Sequence, residues 1–475
     1  MSEDKIAELA SPQLSYASSV VDRRRVLRKL DRHLLPFVSV LYLLSFLDRA
    51  NIGNAKVAGL TTDLRLTGLQ YNLCSAIFFL PYTFFEVPSN MVMKLLRPSR
   101  WIPCIMVCWG IVMLSMAFVK TFSGLIAGII EASAVWAVPR CNFLPMFVVP
   151  RAAQAQRVSI FLSAATVSGA FGGILAFGIE RMDGIGGLAG WSWIFLLEGM
   201  ITVGVAGLSF FFMYDDPETA PFLSPEEREW LIDTIKEDMA GLSKSFEWKF
   251  LAQALKDRHT YMYMLLYLFT ALPAYTFALF LPTIITGLGY SAAHAQLLTI
   301  PPYVAGCVVT VAYGMLSDRW VMRGPFILIG SLTGVVGYVI LFATDKAVVG
   351  YVGTIIAACG LFPAAACVLA WTGGNVGGDV KRGVVIAMTI GLGNLGGFAS
   401  SFIYRAQDSP RYHPGHATNI GCLSVAAVLS AIGMLELHRL NGQKRLIRDK
   451  EGITIERMAE FREMGDNSPL YKYTL

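Results

Sequence analysis

Charge is scarce in this chain. Only 15% of its 475 residues are Asp, Glu, Lys or Arg, against about a quarter in an ordinary soluble domain, so a soluble globular enzyme of this length is a poor account of it. Six histidines are too few and too scattered for a metal motif; His294, His413 and His416 fall on segments between apolar runs and lack ligand spacing. The eight cysteines lie singly, mostly inside apolar runs, as Cys104, Cys108, Cys307, Cys359 and Cys367 do. They are read as small packing residues, not as disulfides or zinc ligands. A net charge of +5 is too small to suggest nucleic acid. No Walker loop or nucleophile elbow is present. The run Gly391-Leu-Gly393-Asn-Leu-Gly396 has dinucleotide-fingerprint spacing but lies within an apolar stretch with no strand before it. Enzyme function is therefore excluded, and neither a cofactor nor a metal is expected. The chain opens with a polar stretch to His33 containing Arg23, Arg24, Arg25, Arg28, Lys29 and Arg32, which reads as a tail and not as a cleaved leader.

What the chain has is long apolar runs: 55% of its residues are hydrophobic. A bilayer core of ~30 Å takes about 20 apolar residues per helix. Twelve runs of that kind occur, near 34–57, 71–95, 101–119, 121–149, 158–180, 191–213, 260–287, 295–316, 325–343, 347–371, 383–404 and 418–437. The fourth has the least distinct boundaries, because it holds Pro139, Arg140 and Pro145. With the amino terminus inside, 30 Lys and Arg fall on cytoplasmic segments and 7 on external ones, which predicts that both termini are cytoplasmic. The expected organisation is a tail at 1–33, a first six-helix bundle at 34–213, a central loop at 214–259, a second six-helix bundle at 260–438 and a tail at 439–475. Ser224, Pro225 and Glu227 form a capping-box start for a short surface helix in the central loop, ending near Met239.

The two halves repeat. Gly169, Gly172 and Gly173 recur 224 positions later as Gly393, Gly396 and Gly397, and Arg157 recurs as Lys381. Asn90, which opens the basic turn to Arg100, maps at the same offset to Gly314, which opens the stretch through Asp318 and Arg319 to Gly324. Repeated halves around a central cavity are a carrier architecture. The four-residue glycine spacing suits close helix packing.

The chain resembles the major facilitator superfamily and, within it, the anion:cation symporter family in its fungal allantoate and nicotinate permease branch. The resemblance is carried by Ser45-Phe-Leu-Asp48-Arg49-Ala-Asn51-Ile-Gly53-Asn54, Phe85-Glu86-Val-Pro88-Ser89-Asn90 and Gly190-Trp191-Ser-Trp193-Ile-Phe195-Leu-Leu-Glu198-Gly199. In the second half it is carried by Ala295 to Tyr303, by Asn375 through Lys381-Arg382-Gly383 to Asn394, and by Pro410 to Ala417. These motifs span nearly the whole membrane region. The resemblance implies a twelve-helix all-α fold in two six-helix repeats. Two departures stand out: Gly124 occupies a position where the family resembles an arginine-bearing form, and Ser192 stands where arginine is common.

A charge at membrane depth costs ~2.5–3.5 kcal/mol even on the lenient insertion scale, so each must be paired, solvated or used. All such charges lie in the first half: Asp48, Arg49, Glu86, Glu131, Arg140 and Glu198. At ~1.5 Å per residue, Asp48 and Glu131 reach similar depths from opposite ends of their helices. Both are candidates for proton coupling; the alternative is a structural ion pair with Arg49. Arg49 presents a planar fork suited to a substrate carboxylate; the alternative is snorkelling to the interface. Adjacent Asp48 and Arg49 lie ~100° apart on a helix, so only one can point fully into a cavity. Glu86 with Asn90, Lys94 and Arg97, as well as Glu198, Gly314, Asp318 and Arg319, are read as structural or gating groups. Asn51, Tyr275, Trp371, Asn375 and Asn394 are candidate neutral contacts to a small planar anion. The expectation is a monomeric secondary carrier of the plasma membrane that moves a small organic carboxylate (a vitamin, ureide or related metabolite) inward with protons. Its partners are the anion, protons and the lipid bilayer. The alternatives are an exporter of a fungal secondary metabolite and a transport-impaired member of the family.

Overall fold

The computed structural model describes residues 23–33, 35–81, 98–136, 154–212, 222–238, 248–453, 461 and 464–475. Of the residues singled out above, Glu86, Asn90, Lys94, Arg97 and Arg140 lie outside these. All regular structure among the described residues is helical. The first half comprises α1 (Arg23–His33), α2 (Leu35–Val57), α3 (Leu60–Asp63), α4 (Gly68–Ile77), α5 (Pro98–Met116), α6 (Phe122–Trp136), α7 (Gln154–Ile179) and α8 (Gly190–Phe212). The connecting segment carries α9 (Pro225–Asp238) and α10 (Trp248–Lys256). The second half comprises α11 (Arg258–Gly287), α12 (Ala292–Leu298), α13 (Ile300–Trp320), α14 (Gly324–Ala343), α15 (Ala347–Asn375), α16 (Asp379–Ser400) and α17 (His413–Glu451).

Ten helices among the described residues are long and apolar enough to cross a membrane. Helices α4 and α6 stand at the second and fourth of the twelve runs, and each leads toward a stretch outside the described residues. Apolar side chains such as Phe211, Val308 and Leu435 are exposed on the outer surface, as expected where lipid replaces water as the solvent of a bundle. Cys74 and Cys367 are buried, but Cys104 and Cys108 are exposed on α5 and are not core residues. His413 and His416 are not in a loop either. They open α17, where His416 is buried and bonded to the Tyr404 hydroxyl at 2.9 Å.

The central segment forms the capped helix its sequence calls for. The Ser224 Oγ accepts the Glu227 amide (3.2 Å) while the Glu227 carboxylate accepts the Ser224 amide (3.0 Å), the reciprocal capping box. Leu223 and Leu231 then pack on Val26 and Leu30 of α1, and Lys29 pairs with Glu227 at 2.7 Å. Helix α9 is thereby fixed against the start of the first half.

Within each half the helices pack as α5 with α8, α2 with α7, α11 with α16, and α14 with both α15 and α17. Across the halves α7 packs with α12, α13 and α15, α4 with α16, and α2 with α11. The repeat relates the contacts of α7 with α12 and α13 to that of α4 with α16, because the 224-residue offset carries α7 onto α16 and α4 onto α12 and the start of α13. The crossings are tight for the same reason in both places. A β-carbon at Gly169 would sit 2.4 Å from the Tyr303 ring, and one at Gly397 would sit 2.3 Å from the Phe79 ring. Phe79 and Tyr303 are themselves 224 positions apart. Each half thus supplies an aromatic ring that fills the gap left by a glycine of the other.

Ion pairs repeat as well. Arg157, at the start of α7, makes a two-point pair with Asp31 at 2.6 and 2.8 Å. Its counterpart Lys381, on α16, binds Asp257 at 2.7 Å and Asp466 at 2.7 Å. Asp257 caps α11 by accepting the His259 amide at 2.9 Å. Burial opposes its ionisation, but the bonds from His259 and Lys381 outweigh that and hold its carboxyl well below the usual range. In the last turn of α13, Asp318 accepts Arg323 at 2.5 Å and Ser317 accepts it at 2.6 Å, while Arg319 is exposed and Gly314 is buried within the helix.

The glycine–ring seam gives a direct test. Gly397→Ala should lower stability by about 1–3 kcal/mol through overpacking, and Phe79→Ala alone should cost about 3 kcal/mol or more. The double variant should be more stable than the sum of the two losses. Simple additivity in detergent melting experiments would show that these residues do not share a seam.

Candidate functional site

The helices enclose a cavity of about 850 Å³ between the two halves. Tyr42, Phe46, Arg49 and Ala50 of α2 line one side, with Leu162, Ala165, Ser168 and Gly169 of α7. The second half contributes Tyr267, Tyr275 and several alanines of α11, Tyr303 of α13, and Phe362 of α15. Both rings of the seam, Phe79 and Tyr303, are part of this wall, so the residues that close the two halves together also shape the cavity. Among its described lining residues Arg49 is the one charged group.

Arg49 is only 9% exposed. Its guanidinium carbon lies 4.7 Å from the Phe46 ring centre, 5.0 Å from Phe78, 5.9 Å from Phe79 and 6.0 Å from Tyr275. Aromatic faces attract a cation through their quadrupole, by about 2 kcal/mol when desolvated, which helps to hold an arginine where water is excluded. Tyr275 is in turn positioned by its hydroxyl, which donates to Asn394 Oδ1 at 3.1 Å.

A second cavity, of about 450 Å³, is lined by the first half except for Leu279 of α11. Arg49, Phe79 and Leu279 border both spaces, while Asp48 borders the inner one. The neighbouring positions on α2 are therefore divided: the arginine toward the seam between halves, the aspartate into its own bundle. Asp48 accepts the Trp109 indole N–H at 2.6 Å and the Thr202 hydroxyl at 3.2 Å. One turn before Thr202 on α8, Glu198 is fully buried and accepts the Asn51 amide at 2.5 Å. Among the described residues neither carboxyl has an ion-pair partner, and Asp48 Oδ1 and Glu198 Oε1 each lack a hydrogen bond.

The structure brings some of the candidate residues together and separates others. Arg49 and Tyr275 line the central cavity, and Asn394 stands behind Tyr275. Asn51 faces Glu198 instead of the cavity. Glu131 is exposed on α6 and borders neither space, so it does not meet Asp48. Trp371 and Asn375 are also elsewhere. Trp371 Nε1 and Asn375 Nδ2 both donate to the Thr474 carbonyl, at 2.8 and 2.9 Å, at the end of α15. These bonds hold the segment 464–475 against the second half, and Trp371, about half a helical turn beyond the cavity-lining Leu369, points away from the cavity. Sequence reading found Tyr275 but missed Trp109, Thr202 and the other rings around Arg49, Phe46, Phe78 and Phe79. Only Phe79 and Tyr303 carried a signal, the shared 224-residue offset; an indole inside one apolar run says nothing about a carboxylate in another.

A cavity at membrane depth, walled by both halves of a helical repeat, defines a multi-pass membrane carrier and not an enzyme. The chain belongs to the Major Facilitator Superfamily, whose family model matches residues 38–401. It is 31% identical to the high-affinity nicotinic acid transporter of Saccharomyces cerevisiae, over 99% of this chain and 90% of that protein. It is 34% identical to an MFS-type transporter of Penicillium expansum, over 97% and 92% respectively. Among solved structures, a proton:xylose symporter of the superfamily superposes with a TM-score of 0.65 at 14% identity, covering 85% of this chain and 95% of that one. The fold is thus the all-α, twelve-helix fold of that superfamily.

The buried carboxyl of Asp48 supplies the test of this geometry. Trp109→Phe keeps the ring but removes the 2.6 Å donor, and should cost about 1.5–3 kcal/mol of stability, the range for a hydrogen bond to a charged group. In an Asp48→Asn background the same change should cost clearly less. Equal losses in both backgrounds would mean that Trp109 acts by packing alone.

Proposed function

We propose that this carrier imports a small aromatic or otherwise planar monocarboxylate together with protons. The observation that carries the reading is Arg49, a charged group set among aromatic rings in the wall of the cavity between the halves. A guanidinium can meet both oxygens of a carboxylate at once, and Phe46, Phe79, Tyr275 and Tyr303 offer faces for the flat body of the molecule. The nicotinic acid transporter among its relatives handles a substrate of this chemistry, which makes nicotinate the natural first probe. One cationic fork among the described lining residues favours a single carboxylate, since a second one would be desolvated without a partner, at a cost of several kcal/mol.

Coupling is assigned to Asp48 and Glu198. Both are buried in the first half with no cation paired to them among the described residues, and a bound proton removes the cost of burying their charge. Asp48 follows the same helix as Arg49, and Thr202 and Asn51 tie that helix to α8. Anion binding that turns α2 therefore changes the surroundings of both carboxyls, the differential interaction that alternating access requires. In this reading the halves 34–213 and 260–438 rock about the glycine–ring seam. The face carrying α1, α9 and segment 464–475 is cytoplasmic, in keeping with the Lys and Arg bias, and the membrane is the plasma membrane.

Uptake of labelled nicotinate into proteoliposomes under an imposed proton gradient tests the substrate reading. Arg49→Lys should lower uptake roughly tenfold or more, because the planar fork is lost although the charge is kept. A matched dicarboxylate should compete far less well than a monocarboxylate. Normal uptake by Arg49→Lys would remove this residue from the site, and efflux in place of uptake would make the protein an exporter.

Coupling has its own test. Glu198→Gln should abolish accumulation against a gradient while leaving substrate exchange intact. Undiminished accumulation in that variant would take Glu198 out of the proton path.

A further inference from the structure

Helix α17 has 39 residues, about 58 Å at 1.5 Å each, well beyond the ~30 Å of hydrocarbon. Its last part must project from the membrane. From His438 onward its composition becomes basic, with Arg439, Lys444, Arg445, Arg448 and Lys450. His438, Asn441, Arg445 and Arg448 follow one another at steps of three, four and three, so they share one face of the helix.

Segment 464–475 folds back onto this projection. The Asn441 side chain bonds both the amide and the carbonyl of Tyr473, each at 2.9 Å. Lys444 donates to the carbonyls of Asp466 and Tyr471 and lies 3.9 Å over the Tyr473 ring. The Tyr471 hydroxyl reaches the Gly374 carbonyl at 2.7 Å, and the Arg323 amide donates to the Leu475 carbonyl. A segment with this many partners across α14, α15, α16 and α17 is a built wall.

Between that wall, the basic face of α17 and the Trp320-Val321-Met322 turn lies an open cavity of about 1760 Å³. Lys444, Arg445, Arg448 and Lys472 line it, and no Asp or Glu does so among the described residues. Arg445 approaches Asp449 only at 4.0 Å, with both side chains mostly exposed, a contact of little energy. At the foot of the cavity Trp320 is 60% exposed, the exposure of an indole at the level of lipid headgroups.

We infer that this cavity binds the phosphorylated headgroup of an anionic lipid of the surrounding membrane, and that its occupancy holds segment 464–475 on the second half. The chemistry is phosphate met by arginine and lysine at the membrane surface, a setting in which each basic residue contributes measurably to affinity. The Trp320 turn commits the site to a lipid, because a free phosphate compound has no use for an exposed apolar floor. The linkage to the segment follows from the lining: Pro469 to Leu475 make up much of the wall, so a ligand that needs the wall stabilises it. The inference rests on the proposed cytoplasmic placement of this face.

The full chain, purified in detergent, is titrated with phosphatidylinositol 4-phosphate, with phosphatidylcholine and with soluble inositol trisphosphate. Retained lipid is read by native mass spectrometry, and the wall by tryptic cleavage after Lys472. The phosphoinositide should be retained and should slow cleavage, while phosphatidylcholine does neither. The pair Arg445→Gln and Arg448→Gln should weaken retention roughly tenfold or more. Asn441→Ala, which changes no charge but releases Tyr473, should weaken it as well. Unchanged retention in the glutamine pair would overturn the site, unchanged retention in Asn441→Ala would overturn the linkage to the segment, and equal protection by inositol trisphosphate would overturn the lipid as its source. None of these readouts involves transport, and sidedness is settled separately by protease access in oriented vesicles, so failure here is distinguishable from failure of the carrier reading.

Discussion

Removing charge from water costs more than most single contacts return, and a helix crossing hydrocarbon meets that cost at every buried Asp, Glu or Arg. In this protein the constraint organises the first half. Arg49 is surrounded by Phe46, Phe78, Phe79 and Tyr275, whose faces take the place of water. Asp48 is met by Trp109 and Thr202, and Glu198 by Asn51. Trp109 stands on α5, Thr202 and Glu198 on α8 and Tyr275 on α11, so the requirement to satisfy three buried charges also fixes how α2 sits against those helices.

The second half repeats the fold without repeating that chemistry. Its spans pack on small residues and aromatic rings, as where a β-carbon at Gly337 would lie 2.3 Å from the Ala357 amide nitrogen. The seam between halves sets ring against glycine twice over, through rings 224 positions apart, while the cavity it borders is uneven: the cation stands on one wall and neutral tyrosines on the other. A paired seam with an asymmetric site suits the proposed rocking of the halves, since one motion would expose one binding group to either side in turn.

The end of the second half is built on different terms. Lys381, Asp257 and Asp466 form a buried three-member ion network, and Trp371 and Asn375 meet the backbone of Thr474. A β-carbon at Gly377 would lie 2.4 Å from the Asp466 amide nitrogen. The glycine-rich turn between α15 and α16 is therefore clamped from outside the bundle, and the repeat-related Arg157–Asp31 pair shows the simpler form of the same contact.

Much of this was legible in the order of residues. Hydropathy counts spans because each must bury its own backbone hydrogen bonds, and the 224-residue offset of glycines gives the repeat because only a residue without a side chain allows such close helix crossings. The capping box at Ser224 and Glu227 marked α9, and the Asp48–Arg49 pair marked α2 as the helix that bears the candidate site, since charge in an apolar run requires a reason. What a charge does with its neighbours was not legible. Glu131 and Glu198 are each a lone carboxylate in an apolar stretch, the first read as a coupling group and the second as a structural one, yet Glu131 is exposed and Glu198 is buried and meets Asn51 across 147 positions of chain. Trp371 and Asn375 read as cavity groups until the segment 464–475 folded onto them. Local sequence specifies a helix and the residues it carries; which way a side chain faces within a bundle depends on rotation about the helix axis, and only packing against the other helices sets that rotation.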